Sequence, residues 1–146
     1  MKFLSGIAIF LAAALGSSCG AAAAQNLVPS PFSQDQVDSG RQSYAPNCAE
    51  CHGEDLLGVS APALVGKRFF SSWEQKSTSE LYEFIRTTMP LCHGGILANS
   101  AYASLVAYML WANGAQPGNA DFDGKTSVTI STIASGTVRP DLAKSK

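Results

Sequence analysis

Cys48-Ala49-Glu50-Cys51-His52 places two thiols three residues apart, with an imidazole directly after the second. On one helical turn, two such thiols can each add to a vinyl group of a haem, and the next residue then sets its imidazole beneath the iron. Thioether bonds keep in place a group that would otherwise be lost. Two other chemistries use the same pair of cysteines. A redox dithiol wants a strand-to-helix context, whereas this motif follows a helical pattern. A zinc site needs two further ligands, which Cys92 and His93 supply by count.

A six-coordinate iron takes a second axial ligand from Met89, Met109, His93 or Cys92. Met109 falls on the inward face of a helical pattern, where methionine is most often core packing. Met89 stands in Thr87-Thr88-Met89-Pro90, at a helix end where a side chain can point into a cleft. A thioether there raises the potential of a c-type haem, whereas His93 would give a bis-histidine iron of lower potential. Cys92 has no obvious partner once Cys48 and Cys51 are used, so it is a free thiol or an intermolecular bridge.

Three helices are expected to position these groups. Ser33 stands three residues before Gln36, a capping-box pattern, and opens a helix with Val37, Gly40, Arg41 and Tyr44 on one side. It should stop before Pro46. Residues 53–72, with Gly53, Gly58, Pro62 and Gly66, read as loop. Ser77 with Glu80 opens a second helix, with Leu81, Phe84 and Ile85 on one face, ending at Met89-Pro90. Residues 91–99 are loop again. A third helix starts near Asn99 or Ser100, carries Tyr102, Leu105, Val106 and Met109, and closes at Asn113-Gly114. After Pro117 the chain turns rich in Ser, Thr, Val and Ile, which reads as a poorly ordered terminus or a short strand. Short helices joined by long loops make a thin core, and a large buried prosthetic group resolves that.

Hydrophobic residues are 46% of the 146, charged residues 14%, and the formal net charge is −1. That balance fits one globular domain and gives no basic stripe for nucleic acid. Lys2 followed by an apolar run to Leu15 and a small-residue end at Ala21-Ala22-Ala23-Ala24 reads as a secretory signal peptide, residues 1–24. The rival readings are a membrane anchor, for which the run is short, and lipidation at Cys19, where Gly16 replaces the usual Leu. Cleavage removes Lys2 and leaves 9 basic against 11 acidic side chains in about 122 residues. No later stretch is apolar enough to span a bilayer. The division expected is therefore a signal peptide (1–24), a haem domain (25–118) and a C-terminal extension (119–146).

From Gly40 to Gly118 the chain resembles the small class I cytochromes c of the bacterial periplasm. Gly40, Tyr44 and Cys48 stand four apart, as in that family's N-terminal helix, which crosses the C-terminal helix, here through Leu105 and Tyr108. Ala61-Pro62-Ala63-Leu64 looks like the family's proline loop, whose carbonyl accepts the proton of the ligand histidine, so Pro62 would serve His52. Met89-Pro90 matches the axial methionine. Pro62-Ala63-Leu64-Val65-Gly66, Phe69 with Trp73, Val106-Ala107-Tyr108-Met109-Leu110 and Asn113-Gly114 with Pro117-Gly118 look like the haem domains that serve quinoprotein alcohol dehydrogenases. That likeness implies that Trp73, Lys67 or Arg68 contacts the haem propionates. The chain departs from the pattern at Leu91-Cys92-His93, where small residues and proline are usual.

The resemblance implies an all-α class I cytochrome c fold of three to four short helices around one covalently bound haem c. It also implies an electron carrier of the periplasm, fed by a dehydrogenase and emptied by an oxidase or a further carrier. No nucleophile–base pair stands out, and Glu50, Glu54 and Asp55 read as a solvated face. The alternative is a haem enzyme or ligand sensor with a labile sixth iron position.

Overall fold

The structure is a computed structural model, and it describes residues 28–142. The signal-peptide reading and Cys19 lie outside those residues. Among them are α1 (Gln34–Asn47), α2 (Ala49–His52), α3 (Gly66–Trp73), α4 (Thr78–Thr88), α5 (Asn99–Ala112) and α6 (Ile130–Ile133). They include no strand, only an isolated antiparallel bridge between Ser77 and Thr129. No described helix is long and apolar enough to cross a membrane.

The crossing of α1 and α5 is the centre of the fold. Gly40 makes it possible: a Cβ there would lie 2.0 Å from the Ser104 carbonyl oxygen and 2.8 Å from the Tyr108 Cβ. Only a residue without a side chain lets the backbones meet so closely. Tyr44 and Tyr108 fill the flank of the crossing edge to face, with ring centroids 5.5 Å apart. α5 is buried from Tyr102 to Ala112, so its whole circumference faces protein.

Four expectations need correction. α1 does not stop before Pro46 but runs through it to Asn47. The next amide downstream keeps the turn closed, because Cys48 N–H donates to Tyr44 O at 2.9 Å, and α2 follows at once. At the start of α1 the capping box is only half formed. Ser33 accepts from Gln36 N–H, but the Gln36 carboxamide exchanges two hydrogen bonds with the backbone of Phe122, at 2.9 and 2.8 Å.

The segment read as loop contains α3. Gly66, at φ 75°, marks the entry to this helix rather than a continuing loop. Phe69 is buried, and Phe70 and Trp73 pack against the core. The residues after Pro117 form a packed strap, not a loose terminus. Phe122, Ile130, Ile133, Ala134 and Leu142 are buried, and burying them offsets the cost of ordering the strap. Thr78 holds its middle: its N–H donates to Val128 O, its hydroxyl donates to Thr126 O, and the same hydroxyl accepts from Val128 N–H. Arg139 ends it, donating from Nε to Trp111 O at 2.7 Å and from Nη2 to Ala115 O at 2.8 Å, with its guanidinium over the Trp111 ring.

Candidate haem site

α2 is a single turn, and it presents Cys48 half-buried at its cap, Cys51 exposed and His52 buried. Both cysteines are free thiols. Burial, and then the neighbouring Cys51, push the Cys48 thiol up to about 11, so it stays protonated at neutral pH. The turn is fixed from three sides. His52 N–H donates to Cys48 O at 2.9 Å. The Cys51 carbonyl accepts from Val59, Ser60 and Ala61 at 3.0, 3.1 and 3.0 Å. Gly58 N–H donates to His52 O at 2.8 Å. Tyr44 reaches over from α1 and donates its hydroxyl to Gly53 O at 2.7 Å. Burial, with Cys48 next, raises the Tyr44 phenol well above its ordinary range, so it remains a donor.

The loop that follows folds back onto this turn. Its Pro62 carbonyl lies 2.8 Å from His52 Nδ1 and accepts that proton. The bond sets the tautomer, fixes the ring plane and leaves Nε2 as the free donor atom. Leu64 N–H donates to Leu56 O at 2.8 Å, and Leu56 itself is fully buried with φ 62°.

Met89 is the C-cap of α4, partly buried against the core, and the peptide to Pro90 is cis. The Tyr102 hydroxyl donates to Met89 O at 2.8 Å and accepts from Leu97 N–H at 3.4 Å. Beyond Pro90 the chain lies open. Leu91 and Ile96 are 75% and 65% exposed, Cys92 is exposed at φ 66°, and exposed His93 places Nδ1 3.2 Å from Leu91 O. This lip touches α4 closely at Gly94, where a Cβ would lie 2.0 Å from Thr87 O. Met109 is buried in α5.

Trp73 packs against Phe84 at 5.2 Å and Phe69 at 6.4 Å between ring centroids, with Lys76 Nζ 4.8 Å above its own ring. Lys67 and Arg68 are exposed on α3. Among the described residues no three His, Cys, Asp or Glu side chains converge to hold a metal ion, as the zinc alternative would require of Cys48, Cys51, Cys92 and His93. A concavity of about 390 Å³ between the first turns of α1 and α5 and residues 121–123 is lined by none of the site residues.

The donor set suits a covalent haem. One turn offers two free thiols and an imidazole whose Nδ1 is already occupied, and exposed apolar side chains at Leu57, Val59, Leu91 and Ile96 flank it and the residues after Met89. Tyr102 and Asn113 also bear on this region, although no local sequence pattern marks them for it. A buried tyrosine hydroxyl or a buried carboxamide needs a partner, and that need was the available signal.

Fold and site together define a class I c-type cytochrome domain, all-α and built for one covalently bound haem c. Residues 35–109 match the family described as cytochrome C oxidase, cbb3-type, subunit III, and the chain belongs to that family of cytochromes. It is an electron-transfer haem cytochrome. Over 90 residues it is 36% identical to thiosulfate dehydrogenase of Stutzerimonas stutzeri (strain A1501), a match covering 56% of this chain and 29% of that protein. The chain thus spans under a third of that relative's length. Among solved structures, the sulfane dehydrogenase SoxCD of Paracoccus pantotrophus is similar at 24% identity and TM-score 0.49, over 82% of this chain and 63% of that one.

Proposed function

We propose that Cys48 and Cys51 carry the thioether bonds and that His52 and Met89 are the two axial ligands of a haem whose task is to relay electrons between proteins. Bound there, haem iron supplies one-electron oxidation and reduction. The observation that carries this reading is the bond from His52 Nδ1 to Pro62 O, which occupies one ring nitrogen and leaves the other's lone pair free to bind an iron. Met89, at the C-cap of α4, would hold the iron from its other side, and a haem held by both residues would leave no place for substrate. Pro62, Trp73 and Arg68 belong to the haem surroundings on this reading, with Lys67 as a further contact to the propionates.

The donor is a dehydrogenase of the periplasm and the acceptor an oxidase or a further carrier of the respiratory chain, with residues 1–24 as the export signal. The resemblance to quinoprotein-serving haem domains and the likeness to a protein named thiosulfate dehydrogenase both support a dehydrogenase donor. In this role the chain is a carrier and leaves substrate chemistry to its partner, and residues 119–146 are the C-terminal extension of the haem domain.

The open residues after Met89 favour one second reading, a labile sixth position with His93 in place of Met89 or with no protein ligand. Absorption spectra of the mature protein, oxidised and reduced, separate the two. Low-spin bands, colour that stays with the polypeptide after acid–acetone extraction, and the weak ferric sulfur-to-iron band are expected. Low-spin bands without the sulfur band would transfer the ligation to His93, and a high-spin ferric spectrum would make the protein an enzyme or sensor.

A further inference from the structure

Asn113 is the C-cap of α5 and is fully buried. Its carboxamide makes three hydrogen bonds. Nδ2 donates to Leu64 O at 2.9 Å and to Met109 O at 2.8 Å, while Oδ1 accepts from Gly66 N–H at 2.9 Å. One side chain therefore grips the backbone on both sides of buried Val65. The stretch leading to this grip is the one that holds the imidazole of His52. Ala61 is tied to Cys51 O at 3.0 Å, Leu64 N–H is tied to Leu56 O at 2.8 Å, and between them Pro62 O accepts the His52 Nδ1 proton at 2.8 Å. Asn113 is itself locked. Its N–H donates to Met109 O and Leu110 O, and its carbonyl accepts from Gly136 N–H of the strap at 3.0 Å.

We propose that Asn113 is a positioning residue for His52: by clamping Leu64 and Gly66 it sets the place of the Pro62 carbonyl and, through it, how strongly the imidazole donates to iron. This rests on the reading of His52 as an axial ligand. Only an amide serves the clamp. Asp would lose the two donors, and Leu would leave Leu64 O and Gly66 N–H without their side-chain partner in the protein interior. A carbonyl drawing on Nδ1–H makes the ring a better electron donor, and a better donor favours the ferric state. Releasing the clamp should therefore favour the ferrous state and raise the reduction potential.

The test uses the haem-loaded protein with Asn113→Leu and Asn113→Ser, the smaller change guarding against a failure to fold, and Arg139→Ala as control. The Arg139 side chain makes its hydrogen bonds to Trp111 O and Ala115 O, not to the clamped residues Leu64 and Gly66. The ferrous-to-ferric ratio at a fixed ambient potential should rise about threefold to tenfold in the Asn113 variants, because Asn113 acts on the imidazole only through the Pro62 carbonyl. Exchange of the His52 Nδ1 proton with solvent should quicken with it. Arg139→Ala should lower the melting temperature and move neither readout. An unchanged ratio and exchange rate in both Asn113 variants, with a melting temperature lowered as in Arg139→Ala, would reduce Asn113 to a structural role. A wild-type spectrum without low-spin histidine ligation would instead overturn the parent reading, and this one with it.

Discussion

The two faces of the proposed iron site are built differently. On the His52 side the chain is tied down at nearly every step: three amides converge on Cys51 O, Gly58 holds His52 O, Tyr44 holds Gly53 O, and Pro62 O holds the imidazole. On the Met89 side the backbone of the proposed ligand is held by its N–H on Ile85 O and by the Tyr102 hydroxyl on its carbonyl, while residues 91–96 are exposed throughout and bonded only within their own turn, His93 N–H to Pro90 O and Ile96 N–H to His93 O. Resistance to local opening follows the density of buried contacts and protected bonds. The His52 side is therefore the rigid half of the proposed site, and the Met89 side is the half that can open or be remodelled. The same exposed stretch is where the sequence leaves the family pattern, at Leu91-Cys92-His93.

The strongest way to break this comparison is to remove each ligand in turn. His52→Ala should abolish the low-spin spectrum. Met89→Ala should keep the covalent haem, lower the reduction potential and let cyanide or carbon monoxide bind. If Met89→Ala leaves the potential in place and still excludes those ligands, the methionine assignment is wrong and the asymmetry with it. Next in size is Gly94→Ala. Its Cβ would collide with Thr87 O, so the lip must lift or α4 must fray at its end. A cost of roughly 1–3 kcal/mol is expected, felt as faster cyanide entry, with the covalent attachment intact. Stopped-flow binding together with thermal melting checks this, and unchanged entry would mean the lip does not guard the iron.

Smaller again is Tyr102→Phe, which removes one hydroxyl and nothing else. The loss should be about 1 kcal/mol, near the net worth of its bond to Met89 O, since the 3.4 Å contact from Leu97 N–H adds little. Cyanide entry should rise about fivefold if that bond restrains Met89, since 1 kcal/mol is roughly that factor at 25 °C. If Tyr102→Phe melts earlier but binds cyanide at the wild-type rate, Tyr102 stabilises α5 without restraining the ligand.

The two halves were also unequally legible in the sequence. The thiol–imidazole turn is a local pattern, whereas Pro62 as the partner of His52 was implied only by the family resemblance, and its carbonyl lies 2.8 Å from Nδ1. The Ser77–Glu80 box and the start of α5 at Asn99 are short-range signals too, and both formed. What escaped depends on distance along the chain. Spacing puts Tyr102 on an inward face but cannot say that its hydroxyl ends on Met89. Gln36 left its capping box for a backbone partner 86 residues away. α3 was hidden because Gly66 reads as loop, although its φ of 75° serves only the turn before the helix. The strap was hidden because its burial is shared among elements it meets only in three dimensions, such as Tyr82, whose ring stands edge to face with Phe122 at 5.9 Å.

The smallest effect sharpens the comparison from the far end of α4, the helix that delivers Met89. Ser77 accepts from Glu80 N–H at 3.2 Å, and the Glu80 carboxylate accepts from Ser77 N–H at 2.8 Å. Hydrogen bonds from the Ser77 backbone and side chain hold this carboxyl below its ordinary value. A carboxyl whose folded pKa is depressed contributes its stability above the unfolded pKa and loses it as pH falls through the folded one. Wild type should therefore melt above Glu80→Gln at pH 6–7, with the gap shrinking below about pH 4 as both carry a neutral side chain. Because α4 ends at Met89 and not at His52, cyanide entry in Glu80→Gln should follow the same pH trend, while the His52 Nδ1 exchange rate stays level. If acid closes the melting gap but both faces of the site respond alike, α4 and the His52 turn open as one unit, and the contrast between a rigid and a yielding half does not hold.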